Sequence, residues 1–549
     1  MKRFGLSALV LLFAAASVFA AQVDENELKS VSQTIEFENY TGPHARVDSL
    51  EAIKGIGSSL GKEIGKDSEK AASAGSQAKY YVIHAIDSGA TEKLDADILV
   101  LGANAEVDHI RNLRHIIASY LSAAYSYSEA DAETIATFVT VYNAVYRKNL
   151  DAFKAKYKDV VLNNLSGEKC GLSTKWSEWP GASQIVIPVS DSSGGLSAVD
   201  TSVISDKEVV NSMKEEDGKN IDDRKQMVDI KEREAEKAGE KAQESQKKAT
   251  EKQKAADSEK KNAEQKKQET KQAQKKADES QKKADEAKKK ADENPKDKQA
   301  QKEAKEAQKE ADEDKKAVEE AKKEEAAAEE KAEESQKEAD EAKKEAEVQQ
   351  AAADKKTSEA QEERKEIAKD QAVVAAQEKA KEAAPSVYGL KLADEKSLNS
   401  QIVKVNAANG SVLKQSPVKV IKGRTMSQAS DGFVAVAGEN SGKGAVKLVL
   451  IDKDSLEIIK ESEEILSDNS VMLEDGGSYL VVLKEKAGCF VGKFGPDLKL
   501  QAKSPVAVNP SSPIVKTSAG YMVTDARGNP QILNMNGLTI LSAQGSNER

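Results

Sequence analysis

The chain has 549 residues, of which 32% are charged and only 4% aromatic, with a formal net charge of −11. The length leaves room for several domains. The acidic balance argues against a general nucleic-acid binder. No run of about 18 apolar residues follows the first twenty, which argues against a membrane span in the mature chain.

Met1–Ala20 has the form of a secretory signal. Lys2 and Arg3 precede an apolar core from Leu6 to Ala16, and Val18-Phe19-Ala20 forms a small-residue cleavage site before Ala21. The expectation is an exported protein of the periplasm or cell envelope. Cys170 and Cys489 fall in separate parts of the chain, and both readings are open for them: two free thiols, or one disulfide in an oxidising compartment.

Residues 21–205 read as a mixed α/β globular domain. Tyr80–Ile86 and Ile98–Leu101 are β-prone. His109–Tyr127 has helical spacing with Ile110, Leu113, Ile117 and Leu121 on one face. Ala130–Leu165 does so with Ile135, Phe138, Val139 and Tyr142. The stretch Leu50–Ile64, with Gly55-Ile56-Gly57 at its centre and Gly61 beyond, resembles a helix-hairpin-helix motif. That resemblance implies a turn whose backbone N–H groups contact a phosphate. A glycine turn between two packing helices accounts for the same residues, and Glu51 and Glu63 offset Lys54, Lys62 and Lys66. His44, His84, His109 and His115 have no zinc spacing. No nucleophile elbow, phosphate loop or paired-acid motif stands out, so we expect no catalytic residues, metal or cofactor.

From Asp206 to Ala384 the chain is almost wholly Lys, Glu, Ala, Gln, Asp and Ser. Ser205 with Glu208 has the form of a capping box, and Ala384-Pro385 is a helix stop. Pro295 is the one breaker inside, and it divides the stretch into two equal halves. The expectation is a hairpin turning at 294–297, with Asn294 closing one helix and Pro295 opening the next. Ala242, Ala249, Ala256, Ala263, Thr270, Ala277, Ala284 and Ala291 fall on a seven-residue repeat. Ala304, Ala311, Val318, Glu325, Ala332, Ala339, Ala346, Ala353, Ala360, Ile367 and Val374 do the same in the second half. A sustained heptad of this kind predicts a long antiparallel coiled coil, each arm roughly 130 Å long at 1.5 Å per residue. In the companion row Lys252, Glu259 and Lys266 read as interruptions. A lone solvated helix or a disordered charged tract is the alternative.

After Pro385 the composition turns to Val, Leu, Ile and Gly. Gly432–Val436, Ser478–Val482 and Gly520–Thr524 open three similar units at intervals of roughly 40–45 residues, with Tyr388–Leu392 a weaker first opening. That period predicts an all-β, propeller-like domain over 385–549, with an ordinary antiparallel sandwich as the alternative. The last unit lacks an outer strand, and the run 183–190 is a candidate to supply it.

Two stretches carry a wider resemblance: Ile35-Glu-Phe37-Glu-Asn-Tyr40-Thr-Gly42-Pro43, and Gly171 to Gly181 with Trp176, Trp179 and Pro180. With the signal, the charged rod and the β-rich tail, the whole chain resembles the spirochaete 83/100-kilodalton antigen family. The resemblance implies an immunogenic envelope protein with no established enzymatic activity, and it defines no functional residues. We therefore expect a non-enzymatic envelope scaffold whose partner is a protein or other envelope component, with self-association through the coil open and nucleic acid disfavoured. The competing reading is an exported nucleic-acid-binding or adhesive module that uses the Gly55-Ile56-Gly57 turn or the propeller face.

Overall fold

The computed structural model describes residues 35–64, 79–87, 93–190, 198–382, 385–440 and 444–541. The expected signal segment Met1–Ala20 lies outside them.

The N-terminal domain is built on a four-stranded antiparallel sheet in chain order: β1 (Tyr80–Ala85), β2 (Asp95–Leu101), β3 (Ser183–Ser190) and β4 (Ala198–Val199). Helix α1 (Leu50–Ile64) crosses α2 (Ile110–Tyr125), and α3 (Glu129–Val145) follows. Ser128 caps α3, accepting a hydrogen bond from the Asp131 N–H. From Thr134 to Ala144 every residue of α3 is buried, the mark of a helix packed on all sides. Asn143 ties it to the sheet: its amide donates to the Val186 carbonyl at 2.8 Å and accepts the Val186 N–H at 2.7 Å. The expected single helix over 130–165 is three. Lys148 adopts φ +58°, and α4 (Leu150–Lys156) and α5 (Asp159–Leu162) restart beyond it, with Asn149 capping α4.

The run 183–190 does not join the C-terminal domain. It pairs with β2 from Asp95↔Val189 to Leu101↔Ser183 and fills the centre of the N-terminal sheet. Pro188 is accommodated because β4 pairs only with Val189 and Ser190. At Pro188 itself the carbonyl accepts from Asp200, and no donor is required.

Two short helices lead to the rod, α6 (Thr201–Ile204) and α7 (Lys207–Lys214). The capping box is displaced by one residue. Asp206 caps α7 by accepting the Val209 N–H at 3.1 Å, while the Ser205 hydroxyl donates back to the Thr201 carbonyl and closes α6. Gly218, Lys219 and Asn220 then take left-handed φ values in succession, which breaks the helix. The first arm, α8, therefore begins at Ile221 and runs 73 residues to Glu293, and the second, α9, spans 85 residues from Lys298 to Glu382. Asn294 follows α8, but Pro295 lies in the turn rather than at the first helical position. Asp297 is the cap, accepting the N–H groups of Gln299 and Ala300.

The arms pack antiparallel. Ala242, Ala249, Ala256, Ala263, Thr270, Ala277 and Ala284 are buried, as are Ala311, Val318, Ala339, Ala346, Ala353, Ala360 and Ile367. The charges that read as interruptions pair across the seam: Lys252 with Glu338 at 2.6 Å, Glu259 with Lys331 at 2.9 Å and Lys266 with Glu324 at 2.8 Å. The partners in each pair are equidistant from Pro295, so the alternation Lys-Glu-Lys against Glu-Lys-Glu marks the register. At the foot of the rod Arg224, 1% exposed, is held by Glu363 and Asp370 at 2.7–2.8 Å. Gln226 of α8 accepts from Thr134 of α3 at 2.6 Å, which fixes the rod to the N-terminal domain.

The C-terminal domain is a row of four antiparallel sheets. In order of the chain they are β5 to β7 (Ser386–Asp394, Asn399–Asn406, Val412–Gln415), then β8 to β11 (Ser427–Ala429, Gly432–Gly438, Val446–Asp452, Ile458–Glu461). β12 to β15 (Leu473–Asp475, Ser478–Glu485, Gly488–Phe494, Leu500–Lys503) and β16 to β18 (Val515–Lys516, Tyr521–Thr524, Pro530–Leu533) follow. Apolar clusters fill the three spaces between successive sheets. Single β-bridges at Ile421, Leu466 and Val508 link neighbours. The expected strand openings are therefore present, but no closed propeller or barrel is found: among the described residues no such cluster joins the last sheet to the first. Two devices recur in the units. Ser416, Ser462 and Ser504 are buried, and each donates its N–H at 2.8 Å to the penultimate strand of its sheet, β6, β10 and β14 in turn. Leu456, Leu498 and Leu538 end the turns after β10, β14 and β18 with φ between +57° and +61°. A leucine there costs roughly 1–2 kcal/mol. Burying its side chain offsets that by about 1.5–3 kcal/mol.

Candidate functional site

The two stretches that carried the wider resemblance come together. Glu38 pairs with the Trp176 loop: its N–H donates to the Thr174 carbonyl at 2.8 Å, and its own carbonyl accepts the Trp176 N–H at 3.1 Å. Trp179 is fully buried, its indole donating to the Ser173 carbonyl at 2.7 Å. The Tyr40 ring stands edge-on between Trp176, at 5.6 Å, and His44, at 4.8 Å. Its hydroxyl donates to the Pro43 carbonyl at 2.8 Å. Burial and then the Asp108 charge push the Tyr40 hydroxyl up to about 12, so it stays protonated and remains a donor. His44 Nε2 lies 3.1 Å from Asp108 Oδ2, and that hydrogen bond raises the imidazole above its ordinary value.

This strap docks on the C-terminal domain. Thr41 donates its hydroxyl to the Pro417 carbonyl at 2.9 Å. Ala445 donates its N–H to the Pro43 carbonyl at 3.1 Å, and His44 forms a bridge with Gly444. Gly438 permits the approach: at its φ of +117° a Cβ would stand 1.9 Å from the Ala445 carbonyl and 3.1 Å from Pro43. Arg111 and Glu457 add a pair at 3.5 Å. Two clefts flank His44. One, of about 450 Å³, is lined by His44, Arg46, Lys79, Glu106, Asp108 and apolar Ile53, Ile56 and Ile116. The other, about 330 Å³, lies between the strap and the β11 strand. The charges in the first are paired, His44 with Asp108 and Lys79 with Glu106.

The Gly55-Ile56-Gly57 segment is not a turn. Leu50–Ile64 is one continuous helix, whose interior N–H groups face their own i−4 carbonyls. The glycines instead allow contact with α2. A Cβ on Gly57 would lie 1.9 Å from the Ile116 carbonyl, and one on Gly61 2.6 Å from that of Tyr120, whereas Gly55 faces open space. Lys54 is paired with Glu129.

A second polar group lies under the sheet. Asp97, fully buried on β2, accepts from His84 at 2.6 Å, from Tyr120 at 2.5 Å and from Tyr125. Burial first, then the Asp97 charge, raises both tyrosine hydroxyls. His84 interrupts the apolar and aromatic run of β1, which was the signal in the sequence for this group. His109 precedes α2 and accepts the Arg111 N–H, and His115 lies 3.7 Å from Glu133. Cys170 and Cys489 are both free, the first buried and the second half-buried. Among the described residues no group of three or more His, Cys, Asp or Glu is arranged to hold a metal ion, and no helix is long and apolar enough to cross a membrane.

The strap and the foot of the rod together define a protein of two joined globular parts from which a helical hairpin projects. The family model of the Borrelia P83/100 protein matches residues 25–514, and the chain belongs to that family. This is the 83/100-kilodalton antigen family that the sequence resembles. No curated protein and no solved structure matches the chain.

Proposed function

We infer that the protein is exported and acts as a non-enzymatic scaffold of the cell envelope, presenting its rod to a protein or other envelope component. The observation that carries this reading is the joining of both globular parts at one end of the rod through Thr41, Pro43, Pro417 and Ala445. A hairpin sends the chain out and back, so 73- and 85-residue arms extend roughly 110–130 Å without separating the parts they connect. Family membership, in a family of antigens, supports an envelope location.

The test is to shorten both arms by the same number of heptads. The head should keep its melting temperature, the protein should still fractionate with the envelope with its N-terminus at Ala21, and co-purifying envelope components should be lost. Full-length protein in the cytoplasm with Met1 intact, or turnover on a broad substrate panel, would overturn the scaffold reading.

A further inference from the structure

Among the described residues the row of four sheets is open at both ends, and each end carries the repeat's own packing residues. In β9 and β13, Val434 and Leu480 hold the same position in their units, and both point toward the following sheet. Val434 packs against Tyr479 and Val481, and Leu480 against Tyr521 and Val523. They are 1% and 0% exposed. Met522 holds that position in β17 and is 40% exposed, since among the described residues no sheet stacks on it. Across the strands it lies opposite Val515 on one side and Ile532 on the other, an apolar row on the outer face of the last sheet. The first sheet has the mirror condition. Tyr388, Leu390 and Ile402 turn toward the second sheet. The opposite face carries the cross-strand row Val387, Val405 and Val412. Val387 and Val412 are about half exposed although the rod and the N-terminal domain are in place.

We propose that the β-rich domain associates head to tail with a second copy of this chain, the outer face of the β16–β18 sheet stacking on the outer face of the partner's β5–β7 sheet. Three interfaces of this kind already exist within the chain, each made by the forward face of one sheet on the rear face of the next. The two terminal faces are one forward and one rear, so each is the complement of the other and neither complements itself. Repeat arrays whose end units keep their stacking residues need a cap or a continuation. A heterologous contact of this type either closes into a ring or continues as a filament.

The experiment uses the full-length mature protein in analytical ultracentrifugation over a concentration series. Wild type should self-associate. Met522→Lys on one face and Val412→Lys on the other should each weaken self-association by about tenfold or more, because each places a charge in an apolar contact. Mixing these two variants should restore a one-to-one heterodimer, since one intact face of each kind remains. Far-UV circular dichroism checks folding, and Val515→Glu serves as a second variant if Met522→Lys alters it. A monomeric wild type, association that neither substitution weakens, or loss with Met522→Lys but not Val412→Lys would each overturn the proposal. The second result would place association in the rod, and the third in a contact between two copies of the last sheet.

Discussion

The N–H of Ala445, just before β10 in the second C-terminal sheet, donates to the carbonyl of Pro43 near the beginning of the described chain at 3.1 Å. Roughly three quarters of the chain, including the rod, lies between these residues in sequence. The contact depends on Gly438 having no side chain, and on the Tyr40–Trp176 and His44–Asp108 contacts that hold the strap in shape.

Docking of the strap should weaken as pH rises. His44 is raised above its ordinary 6.5, first by the hydrogen bond to Asp108, with burial opposing it, the Asp108 and Glu461 charges adding to it and Lys447 opposing. A group raised in the folded state contributes fully below its unfolded value, and the contribution is lost as pH climbs through the folded one. The protection factor of the Ala445 N–H, with intrinsic exchange divided out, should therefore be highest below about pH 6.5 and fall above it. His44→Ala should flatten the profile. An unchanged profile in that variant would show that the imidazole is not responsible.

The two central glycines of α1 should respond oppositely to alanine. Gly55→Ala should raise stability by about 0.5–1 kcal/mol through helix propensity, since nothing lies within 4 Å of the new methyl group. Gly57→Ala should cost about 1–3 kcal/mol, because its Cβ would displace α2 at the Ile116 carbonyl. Thermal melts of the two variants decide this. Equal effects would argue that α1 does not cross α2 closely.

Arg224 should be the most sensitive position of the rod. Its side chain is wholly buried with Glu363 and Asp370. Arg224→Ala leaves Glu363 without its arginine and Asp370 with Lys219 alone, 3.4 Å away, and should cost about 3 kcal/mol in denaturant unfolding. The effect should appear at the foot of the rod, seen as rapid exchange of α7 and the start of α8, with the outer heptads unchanged.

The seam charges should behave as a register code. Lys252→Glu or Glu338→Lys alone should lower the melting temperature of the hairpin, and the two together should recover most of the loss, since the pair is restored with reversed sign. The same reversal between Lys252 and Glu324, which are not partners, should give no recovery.

The rod was nearly complete in the sequence. Alanine at every seventh position, a single proline at the midpoint and a charge alternation are all local patterns, and a helix turns each into a stripe by its fixed rise and rotation. Lys252, Glu259 and Lys266 carried the register although they first read as defects. Their meaning lies in Glu338, Lys331 and Glu324, which stand far along the chain. The C-terminal strands were legible for the same reason, being short apolar runs that recur at a fixed interval and end in turn signals. The αL leucines were not legible, because nothing in Leu456 itself marks a left-handed backbone.

By itself the sequence determined the periodic parts of this protein: the hairpin and its alanine seam, its turn near Pro295, and the repeating β units. Tertiary structure alone decided which periodic face meets which. It made Gly55-Ile56-Gly57 the middle of a helix, because Gly57 and Gly61 are where α2 comes closest. It drew 183–190 into the N-terminal sheet, because β2 is buried throughout and needs a partner on each edge. It left the four C-terminal sheets as an open row, because each sheet's rear face is satisfied by the sheet before it and the first has none before it. Local propensity acts within a few residues. These choices were made by contacts between residues as distant as Pro43 and Ala445, whose free energy exists only once the chain has been brought together.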